Sequence, residues 1–274
     1  MSAALGCWID GVPGDALPAD DRAIHYGDGV FETVAVRAGK PRFIEAHLAR
    51  LSLGCVRLAI PFTALDELRA EISAACAHAP PRALVKIIVT RGSAMRRGYA
   101  PQGTESPRRL LSLWPTAAAD FREGVDLRVA TLRLGENPML AGIKHLNRLE
   151  NVLAAAERSE TDAFESLLLD SSGNLVCGSM SNVFLVTRGQ VATPRIDRCG
   201  VAGVMRGIVL RECGALGIVA TETRLSLADL FAADEVFITN ARIGVVPARR
   251  VGEHSVGMNT LALRLAAHLE PLDA

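Results

Sequence analysis

Apolar residues recur along the chain at two spacings, and these spacings predict most of its helices and strands. Leu48, Leu51 and Cys55 share one face at about 3.6 residues per turn, which predicts a helix over 44–58. A second helix is predicted over 65–77, because the prolines of "HAPPR" forbid its continuation. Further helices are predicted over 146–159, 202–216 and 257–268.

Alternating and continuous apolar runs predict the strands. Apolar and polar side chains alternate over residues 31–37, which is typical of a half-buried strand. Other strands are predicted at "ALVKIIVTRG", "RRLLSLWP", "VDLRVATLRL", "ESLLLD", "NLVCG", "NVFLVT", "IVATETR" and "DEVFITN". Helices and strands do not alternate as in a doubly wound sheet. We therefore expect two domains of mixed α and β structure (α+β or α/β), a smaller one over 1–118 and a larger one over 119–274.

Composition and charge narrow the possible functions. The 274 residues are 49% apolar and 22% charged, which allows a substantial core. A formal net charge of +0 removes the electrostatic case for nucleic acid or an anionic membrane. No apolar run spans a bilayer, and the N-terminus does not resemble a signal peptide. The six scattered cysteines suit reduced thiols better than disulfides or a zinc site, so we expect a soluble cytoplasmic protein.

Lysine is rare in this chain: only three of its 30 lysine and arginine residues are lysines. Lys40 lies in a predicted turn and Lys86 on a predicted strand, where solvated surface explains both. Lys144, in "AGIKHLNRLENVLA", precedes an amphipathic helix. A lysine amine can lose its proton and attack a carbonyl, whereas a guanidinium stays protonated. Lys144 is therefore a candidate nucleophile, although a general preference for arginine also explains its rarity.

Sequences typical of nucleotide, zinc-protease and esterase sites are absent, but two segments could bind a ligand. Gly200 and Gly203 precede a predicted helix, whose first N–H groups would suit an anion. Thr239 and Asn240 end a predicted buried strand, where their polar groups could reach a ligand. Taken alone, an ordinary turn is the commoner explanation for each segment.

Two arginines are candidates for binding an anion. Arg50 lies off the apolar face of its helix, and Arg109 follows a long loop over 93–107. Arginines beside a cleft suit a substrate that carries carboxylates. Solvated surface charge is the commoner explanation for both.

The order of these segments resembles that of a known family. "DRAIHYGDGVFET", "HLARL", "GIKHLNRLENVLA", "GSMSNVF", "GVAGVMR" and "DEVFITNA" follow one another as in the fold-type IV pyridoxal-phosphate (PLP) enzymes, particularly the aminodeoxychorismate lyases. "KHLNRLE" with "YGDGVFET" is the most specific part. The resemblance implies a two-domain fold-type IV structure and a PLP cofactor. It also implies a homodimer in which a loop of one subunit, here 93–107, closes the active site of the other.

The resemblance also implies which residues bind the cofactor. The lysine that matches Lys144 forms a Schiff base with the cofactor aldehyde and then carries protons. The arginine that matches Arg50 contacts the cofactor phosphate. Backbone N–H groups of the turn that matches Gly203, Val204 and Met205 bind the same phosphate.

Further positions follow from the same resemblance. Asn240 and Ala241 would complete the phosphate site, Arg109 would bind a substrate carboxylate, and Tyr26 would line the substrate side. The family usually has a glutamate at the position of Cys177, where it keeps the pyridine nitrogen of the cofactor protonated. A cysteine is a weaker partner for that nitrogen.

The reaction implied by the resemblance converts 4-amino-4-deoxychorismate to 4-aminobenzoate and pyruvate, in folate synthesis. One alternative is an aminotransferase of the same fold, acting on D-amino acids or branched-chain amino acids. Another is a catalytically silent PLP-binding protein. Loss of the glutamate harms a transamination more than an elimination, because an elimination discharges negative charge into its leaving group.

Overall fold

The chain divides into two compact units, each built on its own sheet. The computed structural model describes residues 3–94, 96, 98–257 and 260–272. The first unit comprises the chain up to Ala118 together with Ile143–Asn147, and the second comprises Ala119–Gly142 and Arg148–Leu272. The predicted division at 118/119 placed Lys144 with the second half of the chain. Its segment belongs instead to the first unit, because backbone hydrogen bonds tie it to that unit's sheet.

The first unit is a six-stranded antiparallel sheet with helices packed on one face, in the strand order β2-β1-β6-β5-β3-β4. Its strands are β1 (Gly6–Ile9), β2 (Val12–Pro13), β3 (Gly29–Arg37), β4 (Lys40–Pro41), β5 (Arg82–Thr90) and β6 (Arg108–Pro115). Its helices are α1 (Arg22–Tyr26), α2 (Ile44–Arg57) and α3 (Leu65–Ala77). Leu48, Leu51 and Cys55 are buried in the core between α2 and the sheet, so the predicted apolar face is confirmed.

The two faces of this sheet differ, because side chains alternate along each strand. One set, which includes Val34, Val85 and Leu113, forms the core with α2 and α3. The other set lies on the opposite side and is half-buried or exposed. We call it the open face and define it by six residues, Phe31, Thr33, Lys86, Ile88, Leu110 and Ser112.

The second unit is built on a mixed nine-stranded sheet. Eight strands follow the order β12-β11-β10-β13-β14-β7-β8-β9, and β15 pairs with β14. The strands are β7 (Val125–Leu134), β8 (Glu165–Asp170), β9 (Leu175–Gly178), β10 (Asn182–Thr187), β11 (Gln190–Pro194), β12 (Ala220–Thr223), β13 (Glu235–Asn240), β14 (Gly244–Val251) and β15 (His254–Ser255). The helices are α4 (Leu149–Ser159), α5 (Val204–Ala215), α6 (Leu227–Ala232) and α7 (Thr260–Leu269).

The structure corrects several predicted elements. The helix after Lys144 begins at Leu149 and not at 146, because residues 144–146 pair with β3 in extended conformation. The last helix was predicted to begin at 257. Residues 258–259 lie outside the described residues, and α7 is described from Thr260. Strand β14 and helices α1 and α6 were not predicted. In the described parts of the chain, none of the helices has the length and apolar character needed to span a bilayer.

Candidate active site

Lys144 lies in a short extended segment that completes the edge of β3. The N–H of Phe31 donates to the carbonyl of Lys144 at 2.9 Å, and the N–H of Leu146 donates to the carbonyl of Gly29 at 3.0 Å. A side chain at Gly29 would meet the carbonyl oxygen of Val89 on β5 at 2.5 Å and Leu146 Cδ1 at 2.8 Å, so the close approach of both requires glycine. The Lys144 Nζ lies 4.4 Å from the centroid of the Phe31 ring.

Arg50 is held by a buried carboxylate. Glu32, which is 0% exposed, accepts hydrogen bonds from Arg50 Nε at 2.7 Å and Arg50 Nη2 at 2.5 Å. His47 Nδ1 lies 2.6 Å from the same carboxylate. Burial would raise the pKa of Glu32, but the bonds and charges of His47 and Arg50 outweigh it and hold that pKa below its usual value. The expectation of a solvated Arg50 is therefore wrong, since this guanidinium is ion-paired and mostly buried.

Asp28, in the "YGDG" turn, joins two buried arginines. It accepts from Arg22 Nε at 2.8 Å and from Arg91 Nε at 2.8 Å. Arg91 also donates to the carbonyls of Leu58 and Ala59, just after α2, at 2.7 Å each. Burial would raise the pKa of Asp28, but the hydrogen bonds and charges of Arg91 and Arg22 hold it below its usual value. The turn therefore fixes the end of α2, the helix that carries Arg50.

Tyr26 belongs to the same cluster and is packed against the long loop. Its ring centroid lies 5.2 Å from that of Tyr99, and the Arg22 guanidinium carbon lies 4.9 Å from the Tyr26 centroid. Arg22 also donates to the carbonyls of Gly98 at 3.1 Å and Tyr99 at 2.6 Å. Arg22 therefore ties this part of the loop to the helix that ends at Tyr26. The predicted role of Tyr26 toward a substrate stays a prediction.

Arg109 is paired within the first unit. Its Nε lies 3.2 and 3.1 Å from the two carboxylate oxygens of Glu71, and its Nη2 lies 2.7 Å from one of them. Its backbone N–H donates to Asp10 at 2.8 Å. The Arg109 guanidinium thus donates to the Glu71 carboxylate in the way that was predicted for a substrate carboxylate. The predicted role of Arg109 toward a substrate stays a prediction.

In the second unit, the start of α5 presents backbone N–H groups. Gly203 is the N-cap of the helix and has no side-chain cap, so the first-turn N–H groups of Val204 and Met205 lack that kind of acceptor. The Gly203 N–H donates to Asn182 Oδ1 at 3.1 Å, and Asn182 Nδ2 donates to the carbonyl of Val201 at 2.9 Å. A Cβ at Gly203 would clash with Asn182 Oδ1. Glycine at this position is therefore required by the approach of Asn182.

The end of β13 carries the next predicted pair. Asn240 Nδ2 donates to the carbonyl of Met180 at 3.1 Å, and Asn240 Oδ1 accepts from the N–H groups of residues 242 and 243. Ala241 follows in the turn and is half-buried. Thr239 Oγ1 is buried and has no hydrogen-bond partner among the residues that the structure describes. Because Thr239 and Asn182 are paired in register, the strand end and the start of α5 lie together.

Cys177 lies on β9, opposite Leu168, and is 6% exposed. It packs in an apolar cluster with Leu134, Ala154 and Cys199. Burial raises the pKa of the Cys177 thiol to about 12, and the nearby charge of Arg148 offsets this only in part. The thiol is therefore uncharged near neutral pH.

Glu165 organises the turn that follows Cys177. This buried carboxylate accepts from the hydroxyls of Ser179 at 2.5 Å and Ser181 at 2.7 Å. It also accepts from the backbone N–H groups of Ser179 at 3.1 Å and Met180 at 3.0 Å. These bonds fix the "GSMS" turn. The turn includes Met180, whose carbonyl accepts a hydrogen bond from Asn240.

The sequence pattern of the family amino-transferase class IV matches residues 29–251, which include Arg50, Lys144 and the described segments of the second unit. The chain belongs to this family. A curated aminodeoxychorismate lyase from Vibrio harveyi is 36% identical over 248 residues, which cover 88% of this chain and 89% of the relative. A putative branched-chain-amino-acid aminotransferase from Methanocaldococcus jannaschii is 29% identical over 252 residues, covering 89% and 87%.

Solved structures of a lyase and of a branched-chain amino acid aminotransferase share the fold. The crystal structure of 4-amino-4-deoxychorismate lyase from Pseudomonas aeruginosa superposes with a TM-score of 0.92 at 46% identity, covering 98% of this chain and 100% of that one. The predicted fold-type IV class and the resemblance to the lyases of this family are confirmed.

The residues of the second unit fit the phosphate of the cofactor that the class IV family implies. The start of α5 has no side-chain cap and supplies N–H donors, and Thr239 Oγ1 is a buried polar atom in need of a partner. In the described ranges, no group of three or more His, Cys, Asp or Glu side chains is placed to hold a metal ion.

Two important residues of this class IV chain were missed by sequence reasoning. Glu32 left a usable signal, since it falls among Val30, Val34 and Val36 on the buried side of β3, where a carboxylate needs a partner. Glu165 opens an apolar run, and nothing near it in the sequence identifies the serines that it binds.

Proposed function

We propose that this chain is a PLP-dependent lyase that converts 4-amino-4-deoxychorismate to 4-aminobenzoate and pyruvate, serving folate synthesis. The observation that carries the proposal is the similarity over nearly the whole chain to two proteins named as this lyase, at 36% and 46% identity. The aminotransferase relative is less similar, at 29%.

The cofactor would be held by the residues that the family resemblance identifies. Lys144 would be its covalent attachment point and Arg50 a phosphate ligand, with the N–H groups at 203–205 and the strand end at Asn240 and Ala241 as further phosphate ligands. When bound, PLP withdraws electrons from the carbon that bears the substrate amine and so makes its proton acidic. Glu32 would orient Arg50, because it already accepts two of its N–H groups.

Lys144 would also carry the proton. Its neutral amine would take the proton from the amine-bearing ring carbon at Nζ. The bond between the adjacent ring carbon and the enolpyruvyl oxygen then breaks, the ring becomes aromatic, and the departing enol becomes pyruvate after it gains a proton. Placement of Lys144 on the β3 edge fixes its backbone for this task.

Cys177 supports elimination over transamination. An uncharged buried thiol gives the cofactor nitrogen no ion pair. A reaction that expels a leaving group relies on that nitrogen less than a transamination does.

The proposal includes a cytoplasmic homodimer. All six cysteines are free thiols in the structure, which suits a reducing compartment. Helix α4 exposes an apolar stripe of Leu149, Val152 and Leu153, which are 77%, 59% and 58% exposed. A second subunit would remove this stripe from water.

The test is to add 4-amino-4-deoxychorismate to the purified, PLP-loaded protein and to quantify 4-aminobenzoate and pyruvate. Equal amounts of both products support the lyase. Absence of 4-aminobenzoate, with transfer of amino groups between amino acids and keto acids, would instead identify an aminotransferase. Absence of both activities in PLP-loaded protein would identify a silent PLP-binding protein.

A further inference from the structure

Lys86 lies on the open face of the first unit. It is exposed on β5, with Thr33 of β3 and Ser112 of β6 as its register partners on either side. Sequence reasoning assigned Lys86 to solvated surface. Its position next to the ring that also contacts Lys144 makes that assignment incomplete.

One aromatic ring contacts both lysines. The Lys86 Nζ lies 5.4 Å and the Lys144 Nζ 4.4 Å from the centroid of the Phe31 ring. The two amines are therefore within about 10 Å of each other, roughly the Debye length at 0.1 M salt. Two of the three lysines in an arginine-rich chain thus share one neighbour.

In the described part of the chain, the Lys86 ammonium group has no carboxylate partner, whereas two arginines of the first unit do. Arg50 is paired with Glu32 and Arg109 with Glu71. Over the ranges that the structure describes, the side chain of Lys86 makes neither an ion pair nor a hydrogen bond, and its polar end contacts the Phe31 ring. Its ammonium group can therefore bind an anion without first breaking an internal pair.

We propose that Lys86 binds a carboxylate of the substrate while the amine end of the substrate reacts near Lys144. This inference rests on the proposed function, whose substrate carries two carboxylates. It assigns to Lys86 the part that Arg109 was expected to play, because the Arg109 guanidinium is occupied by Glu71. Thr33 and Ser112, the register partners of Lys86, supply hydroxyl groups on the same face.

An indirect role of Lys86 through Lys144 is weaker. Repulsion between charges about a Debye length apart is largely screened when one of them is exposed. A direct ammonium–carboxylate hydrogen bond acts at contact distance and fixes the substrate. The two roles differ in what they change, since direct binding alters KM and a change at Lys144 alters kcat.

The test compares Lys86→Met and Lys86→Arg with wild type, using Lys40→Met, a change at the exposed lysine of β4, as the matched control. We expect Lys86→Met to raise KM for 4-amino-4-deoxychorismate about tenfold or more, as for loss of a charged hydrogen bond, with kcat little changed. Lys86→Arg should retain most of the affinity, and Lys40→Met should match wild type. A Lys86→Met variant with unchanged KM, or with a fall in kcat alone, would overturn the inference.

A binding measurement separates this inference from the proposed reaction. Chorismate carries the same two carboxylates with a hydroxyl in place of the amine, and its affinity can be measured by calorimetry without turnover. Binding to wild type that weakens about tenfold in Lys86→Met supports the inference even if no 4-aminobenzoate forms. Equal affinities, or no binding to wild type, would overturn it.

Discussion

Glu32→Gln is the substitution that tests most directly how the first unit holds Arg50. Glutamine keeps the size of the side chain and one acceptor oxygen, but it removes the charge and places an NH2 group against one partner. Wild-type Glu32 accepts from Arg50 at 2.7 and 2.5 Å and lies 2.6 Å from His47 Nδ1. One of these contacts must therefore be lost, and Arg50 loses its counter-ion.

The structure places the cost near the lower end of the range for breaking a buried ion pair. The Arg50 side chain is 13% exposed, so solvent compensates little for the lost charge. We expect the free energy of unfolding of the PLP-free protein to fall by about 3 kcal/mol at pH 7. PLP affinity should fall as well, because Arg50 is no longer held in one orientation.

The difference in free energy of unfolding between wild type and Glu32→Gln should depend on pH. The folded-state pKa of Glu32 is lowered, so its contribution is complete above the unfolded value and is lost as pH falls through the folded value. The two proteins should therefore differ by a constant amount from pH 6 to 8, and converge on acidification below about pH 4.

Urea denaturation of both proteins, without PLP, measures the change, and an unchanged slope with denaturant would show that the unfolded states are alike. Glu45→Gln is the matched control, because Glu45 makes only an exposed pair with Arg69. A difference below about 1 kcal/mol for Glu32→Gln at pH 7 would refute the reasoning, since it is well under the cost of an uncompensated buried charge.

The remaining predictions concern the reaction and the assembly. Lys144→Arg should remain folded but lose turnover, whereas Lys40→Arg should keep its turnover. Borohydride reduction followed by peptide mapping should place the pyridoxyl group on Lys144, and a label on another lysine contradicts the assignment. Cys177→Glu, if folded and PLP-loaded, should raise the ratio of half-transamination to 4-aminobenzoate formation, and an unchanged ratio counts against a role for Cys177 at the cofactor nitrogen. Leu153→Glu on α4 should shift sedimentation toward monomer while Ser159→Glu does not, and a Leu153→Glu variant that sediments like wild type would argue against this stripe as the interface.

Local patterns predicted most of the secondary structure. Helix α3 has the predicted bounds, because its apolar period and the following prolines are both local signals. The helix after Lys144 was predicted three residues too early, since the pairing of 144–146 with β3 depends on a strand more than a hundred residues away. Helix α6 left a signal that was overlooked, the Ser226–Asp229 capping box.

Individual site residues were harder to predict than elements. The positions of Arg50 on its helix and of Arg109 after a loop both predicted solvated side chains. In the structure, Arg50 pairs with Glu32 and Arg109 with Glu71, and each partner lies far away in sequence. Such pairs depend on tertiary approach, which one sequence does not reveal. Lys144 was identified because its chemistry cannot be supplied by arginine, a constraint that acts at the residue itself.

The assignment of Ile143–Asn147 to the first unit also constrains synthesis and gene architecture. A fragment ending at 118 would leave the Gly29 carbonyl and Phe31 N–H without their partners at an open strand edge. The first unit therefore cannot be completed on the ribosome until residue 147 has emerged, after part of the second unit has been made. Gene fusions or split-protein fragments cut between 118 and 119 would separate the lysine strand from the sheet that it completes. Such fragments can reconstitute the first unit only by bringing 143–147 back to β3.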